Sequence, residues 1–237
     1  MSTRSARAIL LFVSLLLIGM SFLPMVLKNT NVAQTGAGQF SEKLVIVDAG
    51  HGGFDGGAVA PDGTVEKDIN LQIATSLSEL LALNGYSVIM TRSTDTGTED
   101  DLTKPIQVRK VSDLKNRLAL MEKYPQAIFV SIHLNKFTAS SAKGAQVFYS
   151  KNNPESFTLG DSIQGNIKKL LQPANERVIK QGTKSTYLLY NAQIPAVIVE
   201  CGFLSNVEDL KKLKTDKYKN QIAFATFCGI NDYFGER

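Results

Sequence analysis

Apolar residues along this chain fall into three patterns, and each predicts a different kind of element. The first is unbroken: residues 8–27, AILLFVSLLLIGMSFLPMVL, carry no charge, are apolar on every face, and are long enough to cross a hydrocarbon core of about 30 Å. The second is short and dense. Residues 44–48, 86–91, 127–133, 145–149, 187–190 and 196–199 read as strands, the first and third apolar enough to be covered on both sides. The third recurs at helical spacing. Ile69, Ile73, Leu77, Leu80 and Leu81, stopped by Gly85, predict a helix over about 67–84, and Val111, Leu114, Leu118 and Met121 predict one opening at Pro105. Further helices are expected at about 154–171, from Val207, and at about 216–234, where Ile222, Phe227, Ile230 and Phe234 face inward. Strands and helices alternate. The expected fold is therefore a single α/β domain, a mostly parallel or mixed sheet of about six strands with helices on both faces.

Charge changes the picture at the N-terminus. Arg4 and Arg7 precede the unbroken run and Lys28 follows it, which predicts a cytoplasmic N-terminus with everything after Lys28 outside. A retained transmembrane anchor and a cleaved secretory signal both fit. The length of the run favours the anchor, as does the lack of a small-x-small site directly behind it. Residues 1–28 are thus expected to be a membrane anchor or signal segment, 29–42 a small polar linker, and 43–237 the folded domain. The net charge of +4 belongs to the flanks: without Arg4, Arg7 and Lys28 the chain holds 23 basic and 22 acidic residues. No nucleic-acid footprint is present. An extracytoplasmic location, anchored or secreted, points instead to wall polymer or peptides as substrates. Cys201 and Cys228 have no framework spacing and are expected to be buried free thiols.

The candidate chemistry rests on few residues. His51 and His133 are the only histidines, and each follows an apolar strand run, so both should reach the sheet edge where open α/β folds place their sites. Gly50, Gly52, Gly53, Gly56 and Gly57 crowd His51. No Gly-Lys-Ser/Thr follows them, so this is no phosphate loop. Glu200 follows the apolar run 196–199, where a carboxylate is costly unless it is hydrogen-bonded or meets a cation. Glu66 opens a helix, which the helix dipole alone could explain. Two histidines and two glutamates would supply three zinc ligands and one base, the inventory of a zinc hydrolase. The residues alone leave open which glutamate does which, with a lean towards Glu66 on the metal and Glu200 as base. Iron or manganese would accept the same ligands, but zinc brings no redox chemistry outside the cell. Arg117 is either a solvated charge or aimed along its helix towards the site. Residues 92–104 read as a solvated connection or a flap, and the basic stretch 174–185 as a candidate substrate rim.

Several blocks together carry a resemblance. Asp48-Ala49-Gly50-His51-Gly52-Gly53, Glu66-Lys67-Asp68, Thr91-Arg92, Ser131-Ile132-His133-Leu134-Asn135 and Val199-Glu200-Cys201-Gly202-Phe203-Leu204-Ser205-Asn206 resemble, in order and spacing, the zinc-dependent N-acetylmuramoyl-L-alanine amidases. The likeness covers about residues 43–234 and departs at Ala49, where the family commonly has proline. It implies Zn²⁺ held by His51, Glu66 and His133, with Glu200 as the catalytic carboxylate. It also implies hydrolysis of the amide between N-acetylmuramic acid and the L-alanine of the peptidoglycan stem peptide. The single-domain build, with Arg109-Lys110, Asp113-Leu114 and Arg117, is similar to the germination-specific members from endospore formers. That likeness implies work on spore cortex in the intermembrane space, a lipoprotein activator, and coupling to a muramic acid deacetylase that forms muramic-δ-lactam. Two alternatives stand beside it: a zinc peptidase cutting within the stem, and a non-catalytic wall-binding or activator domain. The second is disfavoured because all four site residues are present.

Overall fold

The period-2 alternation of side chains along three strands sorts the core into two layers. In the computed structural model, which describes residues 43–235, β1 (Leu44–Ala49), β3 (Ile128–Asn135) and β6 (Ala196–Phe203) form the centre of the sheet. Val45, Val47, Ile128, Val130, Ile132, Val197 and Val199 enter one core, while Leu44, Ile46, Phe129, Ala196 and Ile198 enter the other. The first core is covered by α1 (Glu66–Leu83), α3 (Glu155–Leu170) and α6 (Asp216–Gly235), and the second by α2 (Ile106–Lys123) and the short α4 (Tyr187–Asn191). Helix α5 (Val207–Leu213) follows β6. The outer strands are β2 (Ser87–Met90), β4 (Gln146–Tyr149) and β5 (Lys180–Gln181), in the order β2-β1-β3-β6-β4-β5. Pairing is parallel from β2 to β6, antiparallel between β6 and β4, and parallel between β4 and β5. The sheet is mixed, six-stranded and covered on both faces, as the alternation predicts.

Register places the chemistry. Asp48 pairs with Ser131, His133 with Glu200, and Glu200 with Gln146. Counting by twos from the second core puts all of these on the α2/α4 face, at the C-terminal ends of the parallel strands.

Three details differ from the sequence reading. Residues 187–190 form α4 and not a strand, with the adjacent Leu188 and Leu189 both buried. A run this short cannot be told from a buried helical turn by periodicity. The sixth strand is instead β5, two exposed polar residues at the sheet edge that leave no hydrophobic signature. Strand β6 runs on through Phe203, so Glu200 lies within it. Cys201 is a buried free thiol as expected, whereas Cys228, also free, is only half-buried on α6. The apolar run at 8–27 and the linker lie outside the described residues. Among those described, no helix is long and apolar enough to cross a membrane.

Candidate active site and metal centre

The glycines after β1 let the backbone pass between imidazoles. A Cβ on Gly50 would stand 2.2 Å from His133 Nε2, and one on Gly57 would stand 2.6 Å from the His51 ring and 2.7 Å from Glu66 Oε2. Between them the chain turns through three positive φ angles, 61° at His51, 136° at Gly52 and 54° at Gly53. For a residue with a Cβ, such as His51, that conformation costs about 1–2 kcal/mol, so it persists only where the surroundings hold it.

The turn and α1 bring three donors together. His51 Nδ1 donates to Asp55 Oδ2 (2.9 Å) and so must carry the proton, which leaves Nε2 facing Glu66 Oε1 at 3.4 Å. His133 Nδ1 lies 3.0 Å from the same Oε1. Glu66 is almost fully buried, and its carboxylate also accepts from Leu134 N, Asn70 Nδ2 and Ala58 N. One donor atom from each of His51, Glu66 and His133 lies within 4.8 Å of the others. Ligands about 2.1 Å from a tetrahedral zinc sit roughly 3.4 Å apart, so the donor set fits zinc in both type and spacing.

The electrostatics agree with that fit. Burial disfavours charge on His51, yet its hydrogen bonds to Asp55 and Glu66 outweigh burial and raise its pKa to about 9. Burial likewise works against ionised Glu66, but the two imidazoles hold its carboxyl well below the usual range. Acceptors that favour an extra proton here would favour a cation in its place.

Glu200 sits one strand away from His133. Burial, reinforced by the charge of Glu66, pushes its pKa up to about 7 against the opposing pull of His133 and His51. Part of the side chain reaches the surface, but Oε2 is buried and takes no hydrogen bond among the described residues. The four residues singled out from the sequence thus meet at one end of the sheet.

Comparison with known proteins gives this cluster its context. The family profile described as N-acetylmuramoyl-L-alanine amidase matches residues 45–232. The chain belongs to that family. The germination-specific N-acetylmuramoyl-L-alanine amidase of Bacillus subtilis is 34% identical over 197 residues, 83% of this chain and 82% of the relative. The CwlD amidase from Clostridioides difficile, solved in complex with the GerS lipoprotein, is 40% identical with a TM-score of 0.79, over 82% of this chain and all of that one. AmiC2 of Nostoc punctiforme, an amidase of the same name, is 26% identical with a TM-score of 0.68, over 83% and 99% of the two chains.

The structure brings towards this cluster several residues that sequence reasoning passed over or left open. Asp48, wholly buried, accepts from Arg117, from Ser131 Oγ (2.5 Å) and from Thr91 Oγ1 (2.7 Å). Burial opposes its charge, but Arg117 and Ser131 hold its carboxyl below the usual range. Its signal was the one that marked Glu200, an acid at the end of an apolar strand run. Arg117 proves to be buried and aimed at the site. The stretch 174–185 contributes Arg177, which stacks on Phe203 (4.6 Å) and donates to Gln146 Oε1 (2.9 Å), the residue paired with Glu200. Residues 92–104 are tied down: Asp95 bonds Lys67 and Gly53 N, and Thr98 bonds Asp113 and Asn116. A cavity of about 160 Å³ opens beside the histidines, lined by Asp55, Lys110, Leu114 and Leu188. A larger one of about 600 Å³, near Lys143 and Arg177, includes none of the four site residues.

Proposed function

We propose that the amidase is zinc-dependent, with His51, Glu66 and His133 as ligands and Glu200 as general base and acid. The observation that carries this reading is one carboxylate oxygen, Glu66 Oε1, shared between two imidazoles beside the unpartnered Oε2 of Glu200. Zinc bound there would polarise the scissile carbonyl and lower the pKa of its bound water to about 7. Asp55 fixes the His51 tautomer, and Asn70 and Leu134 N fix the Glu66 carboxylate. Glu200, poised near neutrality, takes the proton of the attacking water and passes it to the leaving L-alanine nitrogen. The lactyl carboxylate of N-acetylmuramic acid and a stem peptide with a free N-terminus result.

The same reading extends to biology. Residues 1–28 act as anchor or signal, 29–42 as linker and 43–237 as the catalytic domain, which places the enzyme outside the cytoplasm. The germination-specific name of the relative supports a germination role, which we read as spore cortex maturation; on this reading the product would pass to a muramic acid deacetylase. The lipoprotein complex of the C. difficile neighbour supports a lipoprotein partner.

The test is a digest of purified peptidoglycan with and without chelator, read by mass spectrometry. Intact stem peptides bearing a free L-alanine N-terminus, lost on chelation and restored by zinc, are expected. Shortened stems would mean a peptidase instead, and no release at all would return the non-catalytic alternative.

A further inference from the structure

Two buried arginines converge on the turn that carries His51. The strand ladder ends where Gly50 N donates to Ile132 O (3.1 Å). Beyond that point the carbonyls of Ala49, Gly50 and His51 are taken up by guanidinium groups. Arg92 donates through Nε to Ala49 O (2.8 Å) and through Nη2 to Gly50 O (3.0 Å) and Lys67 O (2.8 Å). Arg117 donates through Nη2 to His51 O (2.8 Å) and through Nη1 to Ala49 O (3.1 Å). Their exposures are 4% and 2%. They come from different places, the segment just after β2 and the second half of α2, yet their donors fall on three consecutive carbonyls. Arg117 is itself fixed by Asp48 and Asp113, whereas none of Arg92's hydrogen bonds goes to a carboxylate.

We infer that Arg92 and Arg117 are positioning residues for the metal: by gripping the carbonyls of residues 49–51 they hold His51 in its positive-φ conformation and set the zinc affinity of the site. His51 is the one non-glycine residue with positive φ among those described, and that backbone angle sets the direction of the Cα–Cβ bond from which its ring extends. A turn free to relax would carry Nε2 away from Glu66, and zinc binding would then have to restore the conformation. A planar guanidinium spans two or three acceptors at fixed angles, which an ammonium cannot do. Lysine at either position keeps the charge while losing the fork.

The inference rests on the zinc reading of His51, Glu66 and His133. The experiment is a competition titration of zinc against a chelator, using the purified full-length chain, with Arg92→Lys and Arg117→Lys beside wild type. Ile163→Val, a core change in α3 remote from the turn, controls for loss of stability. Zinc affinity in the lysine variants is expected to fall roughly 10- to 100-fold, the range for losing a group that orients a ligand. Amide hydrogen exchange at residues 51–53 of the zinc-free variants should accelerate, and most activity should return at saturating zinc. The control should melt earlier and bind zinc as wild type does. Lysine variants that melt earlier yet keep wild-type zinc affinity would make the arginines merely structural and overturn the inference. A wild-type chain that takes up no zinc would instead overturn the metal reading beneath it. Arg92→Lys keeps the experiment decisive if Arg117→Lys does not fold, because it leaves no carboxylate without its partner.

Discussion

Glu200 illustrates how much a single side chain owes to its surroundings. In the zinc-free protein burial holds it near pH 7, against about 4.5 in an unfolded chain. Between those values the folded form keeps a proton that the unfolded form has lost, so stability falls as pH rises, by on the order of 3 kcal/mol in all. His51, raised from 6.5 to about 9, adds a further fall between about pH 6.5 and pH 9, where the folded form keeps a proton the unfolded form has lost. Chelated protein should therefore unfold at lower urea at pH 8 than at pH 5, and Glu200→Gln should remove a large part of the difference. An unchanged pH profile in the variant would show that Glu200 titrates normally. The same substitution is expected to leave zinc content intact while lowering turnover by roughly 10²–10⁴-fold. Asp55→Ala tests the other side of the centre. It removes the acceptor that fixes the His51 tautomer, and zinc affinity measured by chelator competition should weaken about 10- to 100-fold.

At the scale of elements, α4 gives the clearest case of tertiary context overriding local pattern. The residues 187–190 carry aromatic and aliphatic side chains that suit a strand, but Leu188 and Leu189 both bury against the α2 side of the sheet, and Leu188 lines the cavity beside the histidines. Truncating Leu189 to alanine should cost about 2–4 kcal/mol in urea unfolding, the usual range for a fully buried leucine. A cost below 1 kcal/mol would mean that α4 is loosely docked. Helix α2 adds charge to its apolar packing: Arg109 pairs with Glu99 and Arg117 with Asp48, while Asp113, one turn earlier on the same helix, braces Arg117. Its apolar stripe predicts the helix, with Leu114, Leu118 and Met121 facing the core, but Val111, expected on the same inward face, lies one turn towards the exposed N-terminal end and stays on the surface. The inward arginine is legible only once Asp48 is known to lie opposite.

For the whole molecule, the catalytic domain should stand without what precedes it. A chain beginning at Lys43 is expected to fold, bind zinc and release stem peptides from soluble muropeptides at rates close to those of the full chain. Circular dichroism and the muropeptide digest check this, and failure to fold would assign residues 1–42 a structural role. Metal linkage acts at the same scale. Zinc at 100 times its dissociation constant should stabilise the fold by about 2.7 kcal/mol, seen as a melting temperature that rises with zinc concentration. A midpoint indifferent to zinc would argue that the site does not hold it in the native state.

The sequence by itself determined the sheet centre, the main helices and the four residues that meet at the sheet edge. The dense, β-branched runs 44–48, 127–133 and 196–199 read as buried strands, and a histidine or glutamate directly after them needs a partner. The family blocks were legible for the same reason, since each combines a strand end with a turn of fixed geometry. What the tertiary structure alone decided was relational. The partners of Asp55, Arg92, Arg117 and Arg177 are not marked in a linear reading, even where a family block includes the residue, as with Arg92, or the helix direction leaves it open, as with Arg117. Asp55 meets His51 four residues back through the tight turn between them, while the partners of the three arginines lie far away in sequence, on β1, its turn and β4, and only the packed sheet brings them within hydrogen-bonding distance.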